Sequence, residues 1–264
     1  MRSMENIGFY PQNCEEIKNF ISYFNEILDK NIDEENKKRL FKVPPKALIV
    51  PHAGWVYSGF SANFAFRMTQ NFTDKRVIVI GPDHKVGFKG ASICLEKTYQ
   101  TPCKNLEIDL EYSVSLKNSF ELRYLPNAHN EHSTEVQMPF IANYIKNPKI
   151  VEIVYSDYSS KELSKLIDFL LKDDKNLIVI STDLSHYYDK QTAMGLDYNC
   201  IQAIYDLDTT KLEKCEACGK IGIEALLISA YNNDLSSLVV DYRTSADATN
   251  DDTQVVGYMS AIFI

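Results

Sequence analysis

The chain has 264 residues, of which 45% are hydrophobic and 24% charged, and its formal net charge at pH 7 is −8. A chain of this length can bury a large core, and the composition excludes a chain that is disordered, collagenous or coiled coil throughout. The acidic balance argues against nucleic acids and anionic membranes as partners, because both favour a basic protein surface.

Hydrophobic periodicity predicts an α/β protein. Apolar residues at helical spacing predict a first helix over residues 15–32. Four short apolar runs predict strands buried on both faces, as parallel sheets require; they lie at 47–50, 76–80, 150–155 and 176–180. Helical patterns lie at 62–68, 135–145, 161–171, 191–205 and 222–231, and two final strands, 238–242 and 255–264, flank a polar loop. Since the sequence has no linker or repeat, we expect residues 1–264 to form one domain with a mainly parallel central sheet flanked by helices.

The six cysteines are spread through the chain, unlike the dense spacing of a small disulfide scaffold. The segment 1–11 lacks the apolar core of a signal peptide. The longest apolar stretches, such as 255–264, fall short of the ~20 residues that cross a bilayer. We therefore expect a cytoplasmic protein in a reducing environment.

Three of the five histidines follow predicted buried strands. His52, His84 and His186 each come a few residues after such a run, where ligands bind in open α/β sheets. Neutral imidazole suits Zn, Fe or Cu, so His52 and His84 together favour a metal or catalytic site. The alternative for each is a histidine that is hydrogen-bonded in a strand-end turn. The neighbouring Asp83 is either a carboxylate that orients an imidazole or a turn residue.

Further residues fit proton transfer. Asp183 and His186 are three residues apart, so on a first helical turn both would face the cleft and pair as acid and base. The alternative is a helix cap at Thr182 or Asp183. His132 is a candidate general acid or base, with a surface histidine as its alternative, and His129 receives no role.

Cys215 and Cys218 form a C-x-x-C pair, and no second pair is present to complete a four-cysteine zinc site. A redox pair usually opens a helix after a strand, whereas this one follows a helical pattern. Cys218 precedes the predicted helix 222–231, a position that lowers the pKa of a thiol and makes it a better ligand.

Seven motifs in order resemble those of the Memo family, whose prokaryotic members are called AmmeMemoRadiSam system protein B. The resemblance covers nearly the whole chain. The motifs are F-Y-P at 9–11, P-H-A-G-W-V-Y-S-G at 51–59, G-P-D-H at 81–84, E-H-S-T-E-V-Q-M-P-F at 131–140, S-T-D-L-S-H-Y at 181–187, C-G at 218–219 and V-V-G-Y at 255–258. Trp55 replaces the tyrosine usual in the family, a change that we expect to reshape the cleft.

The resemblance implies a fold and a ligand set. The Memo family is similar to the catalytic subunit of class III extradiol dioxygenases, which are non-haem iron enzymes of α/β fold that hold iron with two histidines and a carboxylate. In the Memo family two histidines and a cysteine take these places, and they correspond to His52, His84 and Cys218. A thiolate is softer than a carboxylate and shifts the preference towards Cu(I), Zn or Fe(II).

The resemblance also implies an activity and partners. It places Asp183 and His186 near the metal as a further ligand or as acid and base, and His132 at the cleft wall. We expect a metal-binding, dioxygenase-like protein that acts as an iron or copper redox enzyme on a small molecule. The alternatives are a non-catalytic protein that binds a peptide or partner protein in the same cleft, and a metal storage or delivery protein. The prokaryotic family name implies work beside a radical-SAM protein and an AMMECR-like protein.

Overall fold

The apolar runs of the sequence form the centre of one ten-stranded sheet. The computed structural model describes residues 1–6 and 8–264. The strands are β1 (Ala47–Val50), β2 (Arg76–Pro82), β3 (Ala91–Ile93), β4 (Thr98–Tyr99), β5 (Leu106–Ile108), β6 (Lys149–Tyr155), β7 (Asn176–Ser181), β8 (His186–Tyr188), β9 (Ser237–Thr244) and β10 (Val255–Phe263). Their order is β4-β5-β6-β2-β7-β1-β10-β8, with β3 paired to β6 and β9 paired to β10. The stretch from β5 to β1 is parallel and the outer pairs are antiparallel.

Helices cover both faces of the sheet. They are α1 (Cys14–Asn31), α2 (Glu34–Leu40), α3 (Trp55–Arg67), α4 (Leu110–Ser119), α5 (His132–Glu135), α6 (Met138–Tyr144), α7 (Ser160–Leu170), α8 (Lys190–Asp206), α9 (Lys220–Asn232) and α10 (Ala246–Thr249), with 3₁₀ turns at Pro126–His129 and Thr209–Lys214. None of the helices in the described part of the chain combines the length and apolar character needed to cross a membrane.

The two faces of the central strands pack against different helices. On β7, Leu177 and Val179 join the core that contains α1, α3 and α6, whereas Ile178 and Ile180 join the core that contains α7, α8 and α9. All four side chains are fully buried, and burial of each contributes about 1.5–3 kcal/mol. This two-sided burial explains why the strands are continuous apolar runs rather than alternating ones.

The predicted mainly parallel sheet flanked by helices is confirmed. The four central runs are strands within two residues of their predicted ends, but some helices differ. The pattern at 62–68 belongs to a helix that begins at Trp55, and the pattern at 135–145 is divided between α5 and α6. The predicted helical turn at Asp183 is wrong: residues 182–185 form a loop, and His186 begins β8, which pairs antiparallel with β10. The short strands β3–β5 were not predicted, because two or three residues are too few to show a period.

The expectation of reduced cysteines is wrong for four of the six. Cys14 is bonded to Cys103 and Cys200 to Cys215, with Cα atoms 4.5 and 4.8 Å apart, a separation that disulfides require. The partners are 89 and 15 residues apart in sequence, so only the fold shows that they meet. Cys94 and Cys218 remain free. Since Cys215 is bonded to Cys200, it does not pair with Cys218 as a redox C-x-x-C.

Candidate metal centre

Three histidines meet beyond the carboxyl ends of the central strands. The neighbouring strands β1, β7 and β2 are parallel, so the residues that follow them emerge at one edge of the sheet. His52 follows β1, His84 follows β2, and His132 begins α5. One ring nitrogen from each of the three lies within 4.8 Å of the others. Sequence analysis predicted His52 and His84 together, but it placed His132 only at the wall.

The His52 ring is held by a buried serine. Its Nδ1 lies 2.9 Å from Oγ of Ser181, which donates its own hydrogen to the carbonyl of Ser133 and accepts one from Gln137. Because the serine hydrogen is already used, Nδ1 of His52 is the donor and Nε2 keeps its lone pair. Burial, together with the neighbouring His132 and His84, holds the pKa of His52 well below its ordinary value. His52 is therefore neutral, the form that binds a metal.

The other two histidines share one carboxylate, that of Glu131. Its Oε1 lies 3.0 Å from Nδ1 of His84 and 2.8 Å from Nδ1 of His132. Its Oε2 accepts the backbone N–H of His84 at 2.7 Å. Burial alone would raise the pKa of this carboxyl, but the hydrogen bonds from His132 and His84 lower it well below its usual range. Glu131 is thus an anion with almost no solvent exposure.

Sequence analysis left Asp83 as either an orienting carboxylate or a turn residue, and the structure places it in a turn. The Asp83 carboxylate accepts the backbone N–H groups of Lys85, Val86 and Gly87. Glu131 was read only as part of a motif, because a residue 47 positions from His84 gives no signal of contact in a single sequence. A glutamate at the end of a loop, directly before a candidate histidine, was the available clue.

Cys218 lies beside His52 but outside the three-histidine group. Its Sγ is 3.3 Å from Nε2 of His52 and accepts the backbone N–H of Asp183 at 3.2 Å. The close approach requires Gly219, where an added Cβ would lie 2.5 Å from Cβ of Thr182. The predicted lowering of the thiol pKa is wrong: burial and the neighbouring Asp183 raise the pKa of Cys218 to about 12. Without a metal, this sulfur is therefore a protonated thiol at neutral pH.

Asp183 and His186 lie at the side of the cleft formed by the loop after β7. The Asp183 carboxylate accepts the backbone N–H groups of His52 and Ala53 at 2.7 and 3.2 Å. Burial raises the pKa of Asp183, although these bonds oppose the shift. The His186 ring is half-buried and lies against Tyr187, with centroids 5.8 Å apart. Asp183 therefore fixes the His52 loop, a contact that the sequence did not indicate.

The amino-terminal segment closes one wall of the cleft. The ring of Phe9 stacks on His132 with centroids 4.5 Å apart. The segment is held by the buried carboxylate of Glu135, which pairs with Arg2 at 2.9 Å and accepts the Tyr10 hydroxyl at 2.9 Å. The substituted Trp55 does not line the cleft as expected, because its indole is buried and stacks on Phe140.

His129, which received no role, lies in a separate buried network. Its Nδ1 is 2.9 Å from Glu152 and its Nε2 is 2.8 Å from Oγ of Ser92. Cys94, His129 and Glu152 also bring ligand-type atoms within 4.8 Å of one another. Both ring nitrogens of His129 are already hydrogen-bonded, so this group is a satisfied buried network.

The fold and the site define an α/β protein with a histidine-rich candidate metal centre at the carboxyl edge of its sheet. Residues 2–262 match the family model described as Memo-like protein. The chain therefore belongs to the Memo family, as the sequence motifs indicated.

Two relatives agree with this assignment, and a solved structure shares the fold. The MEMO1 family protein of Aquifex aeolicus is 32% identical over 97% of this chain and 96% of the relative. MEMO1 family protein TV1383 of Thermoplasma volcanium is 31% identical over 96% of this chain and 94% of the relative. The crystal structure of uncharacterized protein JW3007 from Escherichia coli K12 matches with a TM-score of 0.54, covering 82% of this chain and 98% of that chain at 10% identity. This last likeness concerns the fold alone.

Proposed function

We propose that this protein is a metal-dependent, dioxygenase-like redox enzyme that acts on a small molecule. The observation that carries the proposal is the convergence of ring nitrogens from His52, His84 and His132 within 4.8 Å, with the Cys218 sulfur 3.3 Å from Nε2 of His52. Imidazoles whose other nitrogens are held by hydrogen bonds are typical of metal ligands.

The donor set fits a first-row transition metal. His52, His84 and Cys218 would hold the ion, with His132 beside them, and nitrogen with sulfur donors suit Fe(II), Cu(I) or Zn rather than Mg or Ca. Such an ion, when bound, supplies Lewis-acid or one-electron chemistry. Cys218 would lose its proton on binding, because thiolate is the ligand form.

The chain's own residues handle protons and orientation. The proposal assigns His186 and Asp183 to proton transfer at the cleft and His132 to orienting the substrate or moving a proton. His186 is half-buried and thus reachable from solvent. The carboxyl of Asp183 has a raised pKa caused by burial, which favours a group that exchanges a proton.

Anaerobic titration with Fe(II), Cu(I) and Zn(II) tests the proposal. The purified protein is expected to bind one ion at this centre, and a His52→Ala, Cys218→Ala double variant is expected to lose at least 100-fold in affinity. A Cys94→Ala variant is the matched control, because Cys94 is the other free cysteine and lies outside the cleft. Equal affinity of the double variant and the wild type would contradict the proposal.

A non-catalytic role in the same cleft is the second candidate. Its support is a group of exposed apolar and aromatic side chains near the site, Val56, Tyr57 and Tyr187, which are 67%, 43% and 72% exposed. Such side chains suit a peptide or a partner protein, and a radical-SAM protein and an AMMECR-like protein are the partners that we propose. Pull-down from native lysate separates the two candidate functions. The binding role is favoured if the wild type recovers a partner protein that Val56→Asp does not recover, and if no catechol-like substrate is turned over.

A cytoplasmic location is also part of the proposal. It rests on the acidic balance of the chain, whose formal net charge is −8. Disulfides are more common outside reducing compartments, so the state of Cys14–Cys103 and Cys200–Cys215 is informative. Because these bonds argue against the location, cell fractionation is the test: the protein is expected with cytoplasmic markers, and its recovery outside the cytoplasm would contradict the location.

A further inference from the structure

We propose that Glu131 is a positioning residue, which fixes the tautomer and the direction of two imidazoles, those of His84 and His132. The inference rests on the proposed function for its importance to metal binding. The tautomers of the two rings, however, can be observed in the metal-free protein.

One carboxylate oxygen receives both rings. Oε1 of Glu131 lies 3.0 Å from Nδ1 of His84 and 2.8 Å from Nδ1 of His132, and the two ring centroids are 4.6 Å apart. A carboxylate only accepts hydrogen bonds, so each Nδ1 must carry a hydrogen. Each Nε2 then keeps a lone pair, as Nε2 of His52 does through Ser181. All three rings thus have the same nitrogen free.

The second oxygen of Glu131 locks the carboxylate in place. Oε2 accepts the backbone N–H of His84 at 2.7 Å, and Oε1 also lies 3.2 Å from the backbone N–H of Ser133 at the start of α5. Four donors from two separate loops therefore converge on one buried anion. Neither ring can turn without breaking a charge-assisted hydrogen bond to Glu131.

A glutamine at this position cannot reproduce the arrangement. The backbone N–H groups of His84 and Ser133 are fixed donors to different oxygens, at 2.7 and 3.2 Å, and the single amide oxygen of Gln can face only one of them. The shorter bond favours the orientation in which the amide oxygen faces His84. The amide NH₂ then faces the two ring nitrogens and donates to them, which favours the opposite tautomer, with the hydrogen on Nε2. Glu131→Gln is therefore expected to turn both free lone pairs away from the candidate centre.

Histidine side-chain ¹H–¹⁵N NMR on the metal-free full chain reports the tautomer of each ring directly. In the wild type, His84 and His132 are expected as Nδ1–H tautomers, and in Glu131→Gln at least one is expected to change to Nε2–H. Asp83→Asn is the matched control: it also removes a carboxylate next to His84, but one that binds only backbone N–H groups of a turn. The control is expected to keep both tautomers.

Metal affinity provides the second readout. Loss of an orienting carboxylate typically costs about 10- to 100-fold in metal affinity, so Glu131→Gln is expected to bind Zn(II) that much more weakly than Asp83→Asn. Should Glu131→Gln fail to fold by circular dichroism, Glu131→Asp serves instead, because its shorter side chain keeps the charge but withdraws from the rings. Unchanged tautomers in the folded variant overturn the inference. If the wild type binds no metal but Glu131→Gln still shows the tautomer change, the proposed function is contradicted and the role of Glu131 is supported.

Discussion

The protein contains two histidine–carboxylate networks that look alike in composition and differ in what they leave free. In the cleft, Glu131 holds His84 and His132, whose side chains are 30% and 16% exposed. Below the sheet edge, Glu152 holds His129, and both side chains are almost completely buried. The first network faces the outside and the second does not.

The use of the ring nitrogens separates the two networks further. His129 is bonded through both nitrogens, to Glu152 and to Ser92, so it has no lone pair to offer. His84 and His132 are bonded through Nδ1 alone, and the Nε2 of His52 contacts only the sulfur of Cys218. A carboxylate beside a histidine is therefore weak evidence for a metal site, and a free nitrogen that converges with others and is reachable from solvent is stronger evidence.

The largest expected effect is the loss of stability on replacing His129. His129→Ala removes one of three donors to the Glu152 carboxylate, which also accepts the Tyr99 and Thr134 hydroxyls. This carboxylate is completely buried and keeps a lowered pKa against the effect of burial because of the nearby His129. Removing one partner from a buried pair typically costs about 3–5 kcal/mol, and loss of the buried imidazole also leaves a cavity. Urea unfolding of the metal-free protein is expected to show a loss of that size.

His84→Ala is the matched comparison, because it also removes a histidine from a carboxylate. Glu131 retains His132 and two backbone donors, so the expected loss of stability is below about 1.5 kcal/mol. The metal affinities should rank in the opposite order, with His84→Ala weakened and folded His129→Ala unchanged. A His129→Ala protein that is stable but binds metal poorly would show that the buried network is the metal site.

The second prediction uses pH to separate the networks. The pKa of His52 is held well below its ordinary value of 6.5 by burial and by the neighbouring His132 and His84. On acidification the unfolded chain binds this proton and the folded chain does not. The stability that depends on neutral His52 is therefore complete above pH 6.5 and is lost as the pH falls further, by up to about 1.4 kcal/mol per pH unit.

The Glu152 network titrates in a lower range. Its carboxyl pKa is lowered from an ordinary 4.5, so its contribution is present above pH 4.5 and is lost as the pH falls through the folded-state value. Between pH 6.5 and 5, the free energy of unfolding of metal-free wild type is expected to fall more steeply than that of His52→Gln. Parallel slopes for the two proteins in that range would show that His52 is not held neutral by the fold.

The sequence was sufficient to predict the central sheet, because strands that are buried on both faces consist of continuous apolar runs. It was sufficient to bring His52 and His84 together, because the carboxyl ends of neighbouring parallel strands lie at one edge of the sheet. It was insufficient for Glu131, Glu135 and the two disulfides, since their partners are distant in sequence and no local pattern records a long-range contact. The pKa of Cys218 was predicted in the wrong direction because its place before α9 was visible in the sequence, whereas its burial was not.

Backbone strain beside the cleft, outside both networks, gives the smallest expected effect. Tyr187, next to His186, has a φ of +66° although it is 72% exposed. Among the described residues of the His129 network, no φ lies in this left-handed region. Such a conformation costs a bulky residue about 1 kcal/mol or more, whereas asparagine tolerates it better.

Tyr187→Asn is therefore expected to raise the free energy of unfolding by about 0.5–1 kcal/mol. Tyr198→Asn is the control, because Tyr198 is 59% exposed inside α8 and the two residue types have similar helix propensities, so its effect should stay within about 0.5 kcal/mol. If the strain serves the cleft, Tyr187→Asn should weaken ligand binding while it stabilises the fold, since strained residues persist at functional sites only where something else holds them. A loss of stability larger than that of the control would instead show that the Tyr187 ring contributes packing that outweighs the strain.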